Sequence, residues 1–479
     1  MKNHKVAIAF LLCLMVGIVV LFYVRKEPLN FKFNLSIGLI IIGFIGFIGH
    51  LALKWFRKSI VKKIAAGIFS LIGLGVLSIV IIGYIDARIL LPAVSSTPVT
   101  KMQWLEDFEV MHNSLKEHPV YNDSLEGIIN KLKYDFENKS GNLDHLALIT
   151  GIRMVGLFND SHSLMMPLPL YLKNPKYLPI QTYVFWDGIY ITKASNTDLI
   201  GARIISINNH PIDVVYDKVA SLIGADNSWG AKNHSSLYVP NIDVLKGLDI
   251  VSSAEEVILE LEIDGKKINK KLKGVSAVKW SLWALSSSEE KQPVGWNLRT
   301  PKIDVETKND YTLWMTFNEI GQETVLTDIG NKIYNQFYGK EINHFVIDLR
   351  NNGGGDNYTY NGLIEKLSQS DIKITLLTSR KTYSAAINFI SELQLTGKKF
   401  RIIGEPTGAG HNHSGDPNTI FLPNSGLMVN ISTKSWHFIP ELTDNSIPPD
   451  VFIEYNSSDY FEKNDPWMKA LRLELTKNR

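Results

Sequence analysis

The chain has 479 residues, of which 45% are hydrophobic and 10% aromatic, so a long disordered chain is excluded. Its one cysteine, Cys13, excludes an intrachain disulfide framework, a thiolate zinc site and a Cys-X-X-Cys redox motif. The net charge of +2 hides an asymmetry, because residues 1–92 hold 11 of the 50 Lys/Arg and only two of the 48 acids. The remainder is net acidic, which argues against nucleic acid as the main partner.

Three apolar stretches without internal charges occupy residues 6–24, 35–53 and 64–85. Each is about long enough to cross a ~30 Å hydrocarbon core as a helix. A cleaved signal peptide is the alternative for the first stretch, but no small-residue cleavage site follows it and two more stretches come after. We therefore predict a membrane domain over residues 1–92 that contacts lipid through three spans.

The distribution of basic residues between the short loops predicts the orientation of these spans. The N-terminal tail and the second loop together hold seven Lys/Arg, whereas the first loop holds three. Loops rich in Lys/Arg stay in the cytoplasm, so the N-terminus is predicted to be cytoplasmic. With three spans, residues 87–479 are then expected to lie outside the cytoplasm of a multi-pass cell-membrane protein.

Helical periodicity begins after a linker at residues 87–100, and it predicts an N-terminal helical part over residues 101–170. Strand patterns follow, with Asp187-Gly188 and Asp264-Gly265 as hairpin turns. Between them, residues 214–251 are predicted to form one helix followed by a polar loop. These patterns indicate a small β-rich domain over residues 178–275.

Strands and helices alternate after residue 310, whereas residues 276–308 show little periodicity. Strands are predicted at 311–317, 344–349, 372–378 and 400–403, and helices at 324–337, 358–367 and 384–395. This βαβ series predicts an α/β layer with a largely parallel sheet, over residues 310–470. Sites in such sheets lie at the carboxyl ends of the strands.

Two of these strand ends carry unusual residues. The strand HFVIDLR leads into Asn351-Asn352-Gly353-Gly354-Gly355, which could form half of an oxyanion hole, a phosphate cradle or a plain turn. A phosphate loop would need a following Lys-Ser/Thr, and Asp356-Asn357 stands there instead. At the second strand end, Ser384 opens a helix, either as an N-cap or as a nucleophile served by the N–H of Ala385 and the helix dipole.

Five motifs then occur in order: DLRNNGGG, TYSAA, GEPTG, PNSGLMVNISTKS and IPPD. Together they resemble the tail-specific, or C-terminal processing, serine peptidases and their tricorn-core relatives, over residues 101–470. The resemblance implies a ClpP/crotonase-like α/β core, and a PDZ-like domain that contains the segment LIGARIISINNHPI. It also implies a polypeptide substrate, with no cofactor and no metal.

The family divides over the general base of the reaction. The processing proteases carry a lysine just after the Gly-Glu-Pro-Thr turn, where this chain has Gly410. The tricorn-like branch uses a histidine directly after a serine in the helical part, and the segment NDSHS at residues 159–163 resembles that pattern. The resemblance therefore implies Ser384 as nucleophile and His162 as base, with Ser161 orienting His162.

The remaining site residues also follow from the resemblance. An acid near the chain end, Glu441 or Asp444, would complete a tetrad. The N–H groups of Ala385 and Gly354 would hold the oxyanion, with Gly353 as the second choice for Gly354. A serine needs a neighbouring base to take its proton, and histidine has an unperturbed pKa near 6.5, so it can do this at neutral pH.

Several residues keep a competing interpretation. His411 and His413 form a His-X-His pattern without an evident third metal ligand, so solvated loop histidines are the alternative. Lys381 could act as a substitute base or be a solvated turn lysine. His162, without the family, would be a structural histidine, and Asp348 and Arg350 are expected to fix their strand end by ion pairing.

The sequence therefore predicts a membrane-anchored, extracytoplasmic serine endopeptidase that works through an acyl-enzyme. The PDZ-like segment would bind an extended peptide by adding it to a strand edge. The rivals are a protein on the same fold that binds a peptide or a hydrophobic ligand, and a catalytically silent sensor, because a fold does not fix a function.

Overall fold

The computed structural model describes residues 99–140, 143–166, 176–253, 256–276, 279–280, 283, 303–309 and 311–477. The predicted spans at 6–24, 35–53 and 64–85 lie outside these ranges. Among the described residues, no helix is both long enough and apolar enough to cross a membrane.

Three helices form the N-terminal part: α1 (Lys101–Leu115), α2 (Asp123–Glu137) and α3 (Asp144–Gly156). Thr100 caps α1 in a capping box with Gln103, and Asn122 caps α2. The buried faces follow the periodicity of the sequence, with Trp104 and Phe108 of α1 fully enclosed. A short strand, β1 (Leu164–Met165), follows the turn that carries His162.

The first large sheet is antiparallel and has the strand order β3-β4-β5-β7-β8, with β6 paired to β5. Its strands are β3 (Ile180–Phe185), β4 (Gly188–Ala194), β5 (Arg203–Ile207), β6 (His210–Pro211), β7 (Val257–Ile263) and β8 (Lys266–Leu272), while β2 (Lys176–Tyr177) pairs with β9 (Val275–Ser276). Both predicted hairpins are present, with turns at Asp187-Gly188 and Asp264-Gly265.

Three helices stand between β6 and β7, where the sequence predicted one helix and a polar loop. They are α4 (Ile212–Ala220), α5 (Ser228–Tyr238) and α6 (Ile242–Gly247). That prediction was wrong because Asn227 and Asn241 each accept hydrogen bonds from the first backbone N–H groups of a new helix. The polar residues that suggested a loop are therefore helix caps.

The second large sheet has the strand order β10-β11-β12-β13-β14-β17 and is parallel from β11 to β17. Its strands and helices follow in chain order: β10 (Ile303–Asn309), β11 (Tyr311–Phe317), α7 (Glu323–Tyr338), β12 (Ile342–Asp348), α8 (Asn361–Ser368), β13 (Lys373–Thr378), α9 (Ala385–Leu395) and β14 (Phe400–Gly404). The predicted βαβ series is confirmed. The sequence missed β10, which pairs antiparallel with β11.

The chain continues with two ten-residue strands that pair antiparallel, β15 (Asn412–Phe421) and β16 (Met428–His437). It ends with β17 (Val451–Phe452), α10 (Ser457–Phe461) and α11 (Pro466–Lys477). Strand β1 pairs with β16, which ties the turn after α3 to this hairpin. The helical part and the hairpin therefore meet beside the carboxyl ends of β12 and β13.

A buried ion pair fixes the turn between β13 and α9. The guanidinium of Arg380 donates to both carboxylate oxygens of Glu405, and each side chain is only 2% exposed. Arg380 also donates to the carbonyl of Val184 in β3, at 2.7 Å. This one side chain thus joins the antiparallel sheet to the parallel one.

Glu405→Gln should destabilise the fold by about 3 kcal/mol or more, because it leaves the buried Arg380 charge without a counter-charge. Asp416→Asn is the matched control, since Asp416 pairs with Lys434 at the surface and such pairs contribute about 0–1 kcal/mol. Urea unfolding followed by tryptophan fluorescence measures both. Equal losses in the two variants would contradict a structural role for the buried pair.

Candidate active site

The end of β12 is fixed by a buried ion pair, as the sequence predicted. Arg350 donates to both oxygens of Asp348, at 2.9 and 2.7 Å, and to Asp465 at 2.8 Å. The two carboxylates raise the pKa of Arg350 above its usual value despite burial. Because the guanidinium is fully engaged, these groups hold the strand end and are not available to a substrate.

The glycine turn after β12 needs its glycines. Gly354 and Gly355 have φ values of +108° and +143°, which L side chains rarely adopt. A Cβ on Gly355 would lie 1.9 Å from the carbonyl oxygen of Ile320, and one on Gly354 would lie 2.6 Å from Cβ of Ser384. The turn is therefore held directly against the start of α9.

The side chain of Asn352 occupies one of the two glycine N–H groups that the sequence offers for an oxyanion. This fully buried side chain donates to the carbonyl of Phe317 at 2.8 Å, and its Oδ1 accepts the N–H of Gly354 at 2.9 Å. The carbonyl of Asn352 accepts the N–H of Tyr383 at 3.0 Å. Within the described ranges the N–H of Gly353 has no protein partner, so Gly353 is the better-placed donor of the two.

Ser384 stands at the N-cap position of α9 but does not use its hydroxyl as a cap. Its backbone has φ 57° and ψ −129°, a conformation that costs about 1–3 kcal/mol in a non-glycine residue. The side chain makes no capping hydrogen bond, and the N–H of Ala385 is left without an intrahelical acceptor. The cap interpretation of this serine therefore does not hold, and the hydroxyl remains open to other chemistry.

His162 lies on the turn between α3 and β1, with its ring against that of Tyr383 at a centroid distance of 4.4 Å. Its Nδ1 is hydrogen-bonded to the Tyr383 hydroxyl at 2.6 Å. Its Nε2 is buried and has no hydrogen-bond partner among the described residues. The fold thus brings His162 to the residue before Ser384, although Nε2 is not bonded to the Ser384 hydroxyl in this conformation.

Asp160 organises the turn that carries His162. Its Oδ1 accepts the backbone N–H of His162 at 2.9 Å, and its Oδ2 accepts from His118, Ser163 and Ser432. His118 accepts the N–H of Val120 at Nδ1, so it donates to Asp160 from Nε2. Burial alone would raise the pKa of Asp160, but hydrogen bonds from His118 and Ser163, together with the neighbouring His162, hold it well below its usual value.

Ser161 pairs with a residue that the sequence analysis did not single out. Its N–H donates to Oδ2 of Asp226 at 2.9 Å, and its Oγ accepts the N–H of Asp226 at 3.3 Å. The Tyr383 hydroxyl donates to the same Asp226 oxygen at 3.1 Å. Burial, and then the charge of Asp160, raise the pKa of Asp226 to about 6.

The two acids predicted to complete a tetrad lie elsewhere. Glu441 and Asp444 are both exposed, and neither is hydrogen-bonded to His162. The segment around Asp444 instead packs against Gly410, where a Cβ would lie 2.1 Å from the Asp444 carbonyl oxygen. A lysine at position 410 would therefore not fit this backbone, which agrees with its absence from the sequence.

The other candidates have ordinary partners. His411 is bonded to Ser391 at 2.7 Å and His413 to the Gly410 carbonyl at 3.1 Å. Burial and the neighbouring His162 lower the pKa of His413 to about 4. Within the described residues no group of His, Cys, Asp and Glu side chains is arranged to hold a metal ion.

Lys381, the substitute base that the sequence offers, and Lys398 on the same layer are the lysines to compare with His162. Burial and the charge of Arg380 lower the pKa of Lys381 to about 8. Lys398 donates to the carbonyl of Ser370, in a different part of the core. Lys381 therefore stays a rival by its pKa, whereas Lys398 is engaged by the Ser370 carbonyl.

A cleft of about 300 Å³ opens beside the turn that carries His162. Its lining includes Asp160, Asp226 and His413, and also His437 at the end of β16. Carboxylates, histidines and the backbone of Gly410 thus face one space.

No protein-family model and no curated protein matches the sequence. Solved structures do match the fold. CPAF complexed with lactacystin is 12% identical over 79% of this chain and 99% of that chain, with a TM-score of 0.54. A mutant of CPAF is 11% identical over 78% of this chain and 96% of that chain, with a TM-score of 0.53.

The chain shares the fold of CPAF. The photosystem II D1 C-terminal processing protease also matches, at 13% identity over 75% of this chain and 94% of that chain. Its TM-score is 0.37. The likeness to CPAF establishes an α/β fold, and the function must be argued from the site.

Proposed function

We propose that this chain is a serine peptidase that cleaves polypeptides through an acyl-enzyme. The observation that carries the proposal is the conformation of Ser384. This residue has a strained backbone at the start of a helix, and its hydroxyl makes no capping hydrogen bond and lies beside the Gly353-Gly354 turn. Strained backbone of this kind clusters at functional sites. CPAF, whose fold the chain shares, is a protease.

The reaction follows from the positions of these groups. Oγ of Ser384 attacks the scissile carbonyl carbon while its proton passes to Nε2 of His162. The oxyanion is held by the N–H groups of Ala385 and Gly353. Collapse of the tetrahedral intermediate breaks the C–N bond, and the proton moves from His162 to the departing amine. Water then repeats the sequence on the acyl-enzyme and releases the acid.

The missing Ser384–His162 hydrogen bond is compatible with this mechanism. In structures without substrate such bonds are often long or unformed, and they tighten only when a substrate binds. The Nε2 of His162 is buried and without a partner, so binding of a hydroxyl there removes an unsatisfied polar group. The rival to the peptidase is a non-catalytic binding protein on the same fold. Such a protein would have no need of a Ser384–His162 hydrogen bond.

The antiparallel sheet would present an extended peptide to this site, in the manner of a PDZ-like domain. Strand β8 forms one edge of that sheet, and strand addition at such an edge pairs backbone groups. Four lysines stand on β8, at positions 266, 267, 270 and 271. An acidic stretch in the bound peptide would suit that edge.

Treatment with a fluorophosphonate should phosphonylate Ser384 in the parent protein, because the reagent captures an activated serine. Intact-mass and peptide mass spectrometry locate the adduct. Ser384→Ala should give no adduct and unfold as the parent does, since the hydroxyl caps nothing. Ser368→Ala, a surface serine on α8, is the control that should label normally. A parent protein that stays unlabelled would favour the binding protein.

We also propose that residues 1–92 anchor the chain in the cell membrane, with the peptidase outside the cytoplasm. The support is the three apolar stretches and the excess of Lys/Arg in the tail and the second loop. A protease added to intact cells should then remove residues 99–479 and leave the N-terminal fragment in the membrane. Protection of the large fragment until the cells are lysed would refute this orientation.

A further inference from the structure

The hydroxyl of Tyr383 lies between the base and the half-buried carboxylate of Asp226. It is 2.6 Å from Nδ1 of His162 and 3.1 Å from Oδ2 of Asp226. The backbone of Tyr383 is fixed on both sides, because its N–H donates to Asn352 and its carbonyl accepts from Ala386. The contact therefore belongs to the same rigid turn that carries Ser384.

The Tyr383 hydroxyl has one proton for two hydrogen bonds, and this determines which group is the donor in each of them. An ionised carboxylate has only acceptors, so the single hydroxyl proton of Tyr383 must go to Asp226. The phenol oxygen can then only accept from His162, which places the imidazole proton on Nδ1. Nε2 is left with its lone pair, which is the form that a general base requires.

We propose that Asp226, acting through Tyr383, is the acidic positioning residue that holds His162 in its catalytic tautomer. This inference rests on the proposed peptidase function and deepens it. It replaces Glu441 and Asp444, the acids expected from the resemblance, by a residue of the loop before α5. Tyr383 and Asp226 act on the reaction by orienting the base and stabilising its charge.

Asp160 is the nearest rival, and its geometry argues against it. Its Oδ1 lies 3.6 Å from Nδ1 of His162, beyond hydrogen-bonding distance, and is used by the backbone N–H of that residue. Its Oδ2 already accepts three hydrogen bonds. Asp160 therefore holds the backbone of the turn, while the imidazole itself is held through Tyr383.

The arrangement has a consequence for pH. The titratable groups that face Asp226 are Asp160, His162 and Tyr383, and His413 lies against His162 with ring centroids 5.9 Å apart. The pKa of Asp226 is about 6, so the carboxylate is ionised at neutral pH and takes up a proton in mildly acidic solution. A protonated Asp226 no longer requires the hydroxyl of Tyr383 as a donor, so that hydroxyl can turn to Nδ1 and shift the imidazole proton to Nε2.

The test is the rate at which a fluorophosphonate labels Ser384 in the full chain, measured by intact mass across the acidic and neutral range. The Ser384 Oγ–P bond forms as the P–F bond breaks, and the serine proton goes to Nε2. Asp226→Asn and Tyr383→Phe should each slow labelling on the order of 10–100-fold, the range for a hydrogen bond to a charged group. The double variant should be no slower than Tyr383→Phe, because both act along one path.

The pH dependence separates a positioning role from a structural one. In the parent, protonation of the base stops labelling and protonation of Asp226 slows it further, so the logarithm of the rate should fall with a slope above one around the pKa of Asp226, near 6. In Asp226→Asn the slope should be one. A slower variant with an unchanged slope, or single-variant losses that add up fully in the double variant, would overturn the proposal.

Variants of three other carboxylates are labelled beside Asp226→Asn. Asp416→Asn, at an exposed ion pair on the hairpin, is the control and should label at the parental rate. If Glu441→Gln or Asp444→Asn slows labelling while Asp226→Asn does not, the acid lies near the chain end and the inference fails. If the parent is never labelled at Ser384, the proposed peptidase function itself fails.

Discussion

The candidate site depends on one buried carboxylate, Asp160, where three parts of the chain meet. Through Ser432 it holds the hairpin, through His118 the helical part, and through the backbone of His162 the turn that carries the proposed base. An ionised carboxylate is costly to bury unless its lone pairs are used, and here four donors use them. The position of His162 is thus set by an acid that is not itself bonded to the imidazole.

The second half of the site depends on backbone rather than on charge. Asn352 binds Phe317, Gly354 and Tyr383 at once, so it connects β11, the glycine turn and the start of α9. The unfavourable backbone conformation of Ser384 persists because the hydrogen bonds and packing of the glycine turn and of α9 hold it in place. Two independent networks, one around Asp160 and one around Asn352, meet where the rings of His162 and Tyr383 touch.

The α/β core could be predicted from the sequence because its strands are enclosed. Six of the seven residues of β12 are buried, so the strand appears as an apolar run between polar loops. The second and third helices after β6 could not be predicted. An asparagine such as Asn227 or Asn241 is equally common as a helix cap and as a loop residue, and the sequence does not distinguish the two. The role of Asn352 was equally hidden, because only the folded turn shows that its side chain occupies the N–H of Gly354.

Asp226 shows where sequence reasoning ends for the site. It lies 65 residues from Ser161 and 157 from Tyr383, in a polar segment without periodicity. A motif-based comparison looks for the acid where related chains carry it, which led to Glu441 and Asp444. Only the tertiary fold shows that a different carboxylate, Asp226, is connected to His162, and that the connection runs through Tyr383, the residue before Ser384.

A crystal structure of the phosphonylated protein tests the account most directly. We predict that phosphorus is bonded to Oγ of Ser384, with its oxygen ~3 Å from the N–H groups of Ala385 and Gly353. Nε2 of His162 should face Oγ, while Nδ1 keeps its bond to Tyr383. An adduct on another residue, or a phosphoryl oxygen that faces neither N–H group, would contradict the proposed active site.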